Sequence, residues 1–191
     1  MTAAEPLAYI GLGGNMPSPG YGLPRATLAA AIEALSDAGL SHIRRSRWYW
    51  SAPIPSSDQP LFINAVVSVR PNRSPGALLE LLHRIEHQFG RIRTVPNAAR
   101  VLDLDLLAVD DLVFGQPGGL TLPHPRLHQR AFVLKPWAEL APQWRHPILG
   151  RTIAEMIARL PAEQQAEPMA ERFPDPESDR ASMLHPLLRR S

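Results

Sequence analysis

The chain has 191 residues, 45% of them hydrophobic, with 20 basic and 18 acidic side chains and no cysteine. That length and apolar content suit one domain of about 160 residues followed by a tail, and a net charge of only +2 lacks the basic bias of a general nucleic-acid binder. The missing cysteine excludes disulfides, thiolate metal sites and a cysteine nucleophile, while no apolar run reaches membrane-spanning length and no basic-then-apolar leader opens the chain, so the expectation is a soluble cytoplasmic protein.

Residues 7–12 form a short apolar run that breaks at Gly13-Gly14-Asn15, as a buried central strand ending in a glycine turn does. A loop over 17–24 precedes an alanine-rich helix over 25–38, with Leu28, Ile32 and Leu35 at helical spacing and Gly39 as its stop. Residues 42–50 read as one strand, and 51–60, with Pro53, Pro55 and Pro60, as an irregular loop of the kind that often holds function. The β-branched run 62–69 is the clearest strand, and after a proline turn a second helix spans 76–89, with Ser74 as N-cap and Gly90 as its end. Residues 91–100 have no core pattern and make an exposed loop. A turn at Asp110-Asp111, a short strand over 112–114 and a turn over 116–119 follow, then two closing helices over 132–140 and 152–160. From 161 to 191 the chain is proline-rich and aperiodic, which predicts a flexible tail beyond a domain of residues 1–160. The order strand, helix, strand, strand, helix, strand predicts an α+β fold of the ferredoxin-like split βαβ type, with helices added at the C-terminal end.

Arg100-Val-Leu-Asp-Leu-Asp-Leu-Leu107 alternates with period two, so a strand here buries its leucines and shows Asp103 and Asp105 on the other face. Two residues of strand rise set their Cα atoms about 7 Å apart, a spacing over which two carboxylates can share one hard cation such as Mg²⁺. Alone, the pattern is more often a strand with a solvated face. Arg91, Arg93 and Arg100 upstream and His124 and Arg130 downstream add groups suited to phosphate oxygens, and the combination suggests a metal-nucleotide site. Lys135 is the only lysine, so anion recognition would be by guanidinium forks.

Taken together, Gly13-Gly14-Asn15, Asp58-Gln59-Pro60, Phe62-Ile63-Asn64-Ala65, Arg84-Ile85-Glu86, Gly90-Arg91-Ile92-Arg93, Arg100 to Asp105, Leu122-Pro123-His124-Pro125 and Arg130-Ala131-Phe132 resemble, in this order and spacing, the 6-hydroxymethyl-7,8-dihydropterin pyrophosphokinase family. The resemblance runs from Tyr9 to about Leu160. It implies Mg²⁺-dependent transfer of pyrophosphate from ATP to the hydroxymethyl group of 6-hydroxymethyl-7,8-dihydropterin, with release of AMP, in folate biosynthesis. It implies Asp103 and Asp105 as ligands for two Mg²⁺ ions, and Asp103, Asp105, Arg91 and Arg100 as the catalytic set. ATP binding would fall to Glu86, Arg91, Arg93, Arg100, Thr121, His124 and Arg130. The pterin would meet Ser51, Ala52, Pro53 and Ile54 at its edge, Phe62 and Phe132 on its faces, Asn64 in its plane, and Asp103. The partners implied are ATP and the pterin, for a monomer with no nucleic acid and no membrane.

The chain departs from the family where Gly14 replaces a common serine, Phe62 a frequent tyrosine and His83 a common glutamine, and where Asn97-Ala98-Ala99 stands for Trp-Gly-Pro in a loop one residue shorter. Two other readings stay open at this stage. An RNA-binding ferredoxin-like module would expose a glycine and aromatic string, which the sequence lacks; a non-catalytic nucleotide or pterin sensor would have no need of both Asp103 and Asp105.

Overall fold

Seven consecutive buried positions within residues 62–70 require a strand covered on both faces, and the sheet is laid out around it. The structure is a computed structural model and describes residues 6–91, 98–115 and 119–170. In chain order it contains β1 (Ala8–Gly14), α1 (Pro24–Asp37), β2 (Ser41–Arg45), β3 (Tyr49–Ser51), β4 (Phe62–Arg70), α2 (Pro75–Gln88), β5 (Asp103–Val109), β6 (Phe114–Gly115), β7 (Thr121–Leu122), α3 (Ala131–Leu140), α4 (Ile153–Ile157) and β8 (Ala166–Pro168). The main sheet has the order β5-β1-β4-β3-β8, with β2 also paired to β4, and its pairings are antiparallel. This is the α+β, ferredoxin-like arrangement expected from the order of elements.

Period-two alternation sorts the two cores. Ala8, Ile10 and Leu12 of β1 join Ile63, Ala65 and Val67 of β4 and Leu104 and Leu106 of β5 under α1 and α2. Tyr9, Val66 and Leu107, on the opposite face, pack under α3 and α4 with Trp137, Ile153 and Met156. Ser74 caps α2 by accepting from the Ala77 amide at 3.4 Å, and Gly90 takes φ +82°, the left-handed conformation that ends a helix without a Cβ penalty. Thr152 and Glu155 close a capping box on α4, which lets so short a helix hold its first turn.

Two expectations need correction. The single strand over 42–50 is divided into β2 and β3, because Ser46 leaves the ladder: its N–H donates to the Val66 carbonyl at 3.0 Å and its Oγ accepts from the Val66 amide at 3.1 Å. The domain does not stop at Leu160. β8 pairs with β3 through Ala166↔Ser51, Glu167↔Trp50 and Pro168↔Tyr49, and Ala166 and Met169 are buried. Sequence periodicity could not reveal a strand of three residues containing a proline; what pays for it is tertiary, since an edge strand tolerates Pro168 and Lys135 Nζ donates to the Ala166 carbonyl at 2.9 Å. The tail beyond 170 lies outside the described residues, as do Arg93 and Asn97.

Candidate active site

Register builds the site. Across the sheet, Asp103 of β5 opposes Gly13 of β1, which opposes Asn64 of β4; one step along, Asp105 opposes Gly11, which opposes Val66. β1 carries only glycine at these two positions: Leu107 packs over Gly11, 3.5 Å from where a Cβ would lie, and Gly13 leaves a bare lane between Asp103 and Asn64, on the face that α3 and α4 cover elsewhere. A Cβ built on Gly13 would lie 3.1 Å from Asn64 Oδ1, so the lane is as narrow as it can be while staying open.

Over that lane is a cavity of about 1090 Å³, at the upper end of the range for small-molecule sites. Its walls include Ser51, Ala52, Pro53, Ile54, Phe62, Asn64, Glu86, Arg91, Arg100, Asp103, Asp105, Arg130 and Phe132. The structure thus gathers every expected pterin residue and most of the expected phosphate residues into one space. Thr121 and His124 are not on this wall; Thr121 sits in β7, paired with Gly115 of β6. Ala98 and Ala99, from the segment that replaces Trp-Gly-Pro, and His83 do line it.

The charges are paired within the protein. Arg91 Nη1 lies 2.5 Å from Asp103 Oδ1 and also ion-pairs with Glu86, while Arg100 Nη1 lies 2.7 Å from Asp103 Oδ2. Both oxygens of Asp103 are therefore met by guanidinium. Arg130 Nη1 approaches Asp105 Oδ2 at 3.4 Å, and its Cζ stands 5.4 Å from the centre of the Phe132 ring, a cation–π distance. Burial pulls the Arg130 guanidinium below its usual range, with Asp105 acting the other way. Burial also holds the His124 imidazole below its usual value, opposed by Asp105 and assisted by Arg130 and Arg126. His124 Nδ1 accepts from the Arg126 amide at 3.1 Å, so the neutral ring carries its proton on Nε2.

Asn15 fastens the site to its frame. It is buried; its Nδ2 donates to Gln59 Oε1 at 3.2 Å and the Pro60 carbonyl at 3.1 Å, and its Oδ1 accepts from the Arg100 amide at 2.8 Å. One amide side chain ties the end of β1 to the loop before β4 and to the segment that carries Arg100. Asn64 Nδ2 donates to Ser51 Oγ at 2.9 Å, which turns its Oδ1 over Gly13.

Could a divalent cation fit? Asp103 and Asp105 supply two hard oxygen groups from one face of one strand, and among the described residues no group of three His, Cys, Asp or Glu side chains could hold a metal ion. Two carboxylates leave most coordination positions to water and phosphate, which is the way Mg²⁺ is commonly held with nucleotides. The donor set fits that ion.

Sequence reasoning missed Arg126, His128, Gln129, Arg151, Arg159 and Gln164, all on the cavity wall. Arg126 had a signal, lying within the run from His124 to Arg130, and its charge acts on both. Arg151 and Arg159 had none; they flank a five-residue helix and only its packing on α3 brings them to the rim.

Comparison with known proteins bears on this geometry. The family model for 7,8-dihydro-6-hydroxymethylpterin-pyrophosphokinase (HPPK) matches residues 9–142. A 2-amino-4-hydroxy-6-hydroxymethyldihydropteridine pyrophosphokinase of Synechocystis is 42% identical over 154 residues, covering 80% of this chain and 75% of that protein. One of Pseudomonas aeruginosa is 36% identical over 156 residues, covering 81% of this chain and 92% of its own. A solved HPPK-DHPS structure in complex with substrates superimposes with a TM-score of 0.59 at 13% identity, over 80% of this chain and 45% of that one; the chain spans less than half of that protein, and the likeness is one of fold.

Proposed function

This chain belongs to the 7,8-dihydro-6-hydroxymethylpterin-pyrophosphokinase family, and we propose that the cavity over the glycine lane of β1 is where it transfers pyrophosphate from ATP to the pterin alcohol. It is a pyrophosphokinase, a transferase of folate synthesis acting on hydroxymethyldihydropterin. The observation that carries the assignment of the site is the row Asp103, Gly13, Asn64: carboxylates for a metal polyphosphate on one side, an amide for a flat heterocycle on the other, and nothing between.

In this reading the pterin lies between Phe62 and Phe132, edged by the backbone of Ser51 to Ile54. Asn64 Oδ1, oriented by the bond to Ser51, accepts from a ring N–H, since a buried in-plane acceptor rejects rings without the matching donor. Asp103 and Asp105 would hold Mg²⁺, which when bound with ATP neutralises phosphate charge and favours attack at the β-phosphorus. Arg91, Arg100 and Arg130 exchange Asp103 and Asp105 for phosphate oxygens and follow the charge as it moves onto the leaving group. Arg93, Thr121 and His124 complete the ATP set expected from the resemblance, and Arg126, which has no carboxylate ion pair among the described residues, joins them. The hydroxymethyl oxygen bonds to the β-phosphorus, the bond from that phosphorus to the α,β-bridging oxygen breaks, AMP leaves, and the hydroxyl proton passes to solvent.

No helix among the described residues is long and apolar enough to cross a membrane. We propose a monomeric cytoplasmic enzyme, and its packed domain runs to β8 and Met169. The test of function is incubation with ATP, Mg²⁺ and 6-hydroxymethyl-7,8-dihydropterin: one AMP per pterin diphosphate is expected, and ADP, or no turnover, overturns the reading.

A further inference from the structure

We infer that Glu86 is a positioning residue for this reaction, setting both the edge of β5 between the two aspartates and the direction of Arg91, without itself contacting nucleotide. The inference rests on the proposed function of the cavity and goes beyond the nucleotide contact that the family resemblance implied for Glu86.

Glu86 is only 2% exposed and occupies the inward face of α2 beside Leu78, Leu82 and Ile85. Packing asks for an apolar side chain there, because a buried carboxylate is costly unless charge and hydrogen bonds compensate it. Compensation comes from two directions. Its Oε1 accepts from the Leu104 amide at 2.7 Å; Leu104 lies between Asp103 and Asp105 on the strand that ends the sheet, so without Glu86 that amide has no neighbouring strand to bond. The same oxygen ion-pairs with Arg91. Arg91 is also tied to Glu86 through the backbone, its N–H donating to the Glu86 carbonyl at 3.0 Å where Gly90 turns the chain out of the helix.

One carboxylate therefore couples three things the reaction needs in fixed relation: the spacing of Asp103 and Asp105 along β5, the exit of the chain from α2, and the guanidinium that reaches Asp103 at 2.5 Å. When polyphosphate and metal take Asp103, Arg91 loses that partner and keeps Glu86. The arginine is then held by a charge buried behind it, aimed at the cavity rather than released to solvent. A positioned cation of this kind acts on the transition state more than on binding.

The experiment uses the full chain in three variants. Glu86→Gln keeps an oxygen for the Leu104 amide and removes the charge that holds Arg91; Arg91→Gln removes the guanidinium; the third combines both. Expected are a fall in kcat of about 10- to 100-fold for Glu86→Gln, the scale of a displaced catalytic group, with KM for the pterin unchanged, and a double variant no slower than Arg91→Gln alone, as for residues that work as a unit. Glu86→Met, which keeps the packing and drops both interactions, is expected to fold, to melt lower than wild type because the Leu104 amide and Arg91 lose their buried partner, and to lose turnover. Amide exchange at Leu104 in the wild type is expected to be slow, and slow still in Glu86→Gln. Wild-type turnover in Glu86→Gln or Glu86→Met, effects of Glu86→Gln and Arg91→Gln that multiply, or a Leu104 amide that exchanges as fast as an open strand edge would each overturn the inference. Wild-type protein that makes no AMP would instead overturn the function beneath it.

Discussion

At the scale of the residue, the two aspartates differ in how they are held. Asp103 is met by Arg91 and Arg100, Asp105 by Arg130 alone at 3.4 Å. Both lie on the cavity face of β5 and contribute nothing to the core of Leu104 and Leu106, so Asp103→Asn and Asp105→Asn are expected to keep the wild-type circular dichroism while turnover falls at least about 100-fold, as when a group aimed at developing charge is lost. Normal spectra with near-normal rate would remove both from the site. Gly14 makes the opposite case, a position without a side chain where one is forbidden. A Cβ there would lie 2.5 Å from the Val101 carbonyl oxygen, because Asn15 and Met16 both donate their N–H groups to the Arg100 carbonyl, at 3.0 and 3.2 Å. The serine common in the family cannot be accommodated without moving the segment that carries Arg100. Gly14→Ser is expected to destabilise by about 1–3 kcal/mol, the usual cost of overpacking, and to raise KM for ATP; an unchanged melting temperature and KM would show that the segment yields freely.

At the scale of the element, β8 alters where the domain ends. Gln164 Oε1 accepts from the Ala131 amide at 3.1 Å at the start of α3, Lys135 reaches the Ala166 carbonyl, and Ala166 is fully buried against Tyr49 and Ala131. β8 thus braces β3 and α3 together, and these carry Ser51 and Phe132 on either side of the cavity. A chain ending at Leu160 is expected to melt more than about 5 °C lower, a loss of more than ~1 kcal/mol for a domain of this size. A chain ending at Ala170 is expected to match full length within about 2 °C, because the segment after it has the composition of a tail. Differential scanning calorimetry on the two truncations decides; a stable 160-residue chain would make β8 dispensable.

At the scale of the whole molecule, the two aspartates are held by the protein's own cations. Arg91 pairs with Glu86 and Asp103, and Arg100 with Asp103. Polyphosphate is expected to compete with the aspartates for these guanidiniums, in the same cavity that Phe62 and Asn64 line. Mg-ATP is therefore expected to raise pterin affinity, and by linkage pterin must raise nucleotide affinity by the same factor, ~5- to 150-fold for coupled sites. Titration calorimetry with a non-hydrolysable ATP analogue measures both arms of the cycle. Equal pterin affinity with and without the analogue would mean that the two halves of the cavity are independent.

Much of this was readable from residue order. Alternation about Leu102, Leu104 and Leu106 placed Asp103 and Asp105 on one face, the apolar run before Gly13 foretold β1, and the order of strands and helices determined the ferredoxin-like sheet, because period and chain order are local properties that sequence carries directly. The sequence also singled out Ser51 to Ile54, Phe62, Asn64 and Phe132, the residues proposed for the pterin, and these line one cavity. What it did not hold depended on register and on contacts between distant elements. Nothing in Gly13 announces that it stands opposite Asp103 and keeps the lane open; nothing in Glu86 distinguishes a helix-surface carboxylate from one buried against the Leu104 amide; and β8 is three residues that become a strand only because β3 offers an edge. A side chain's role is decided by which neighbours fill the space beside it, and those neighbours are chosen by the packing of the whole sheet rather than by the residues on either side in the chain.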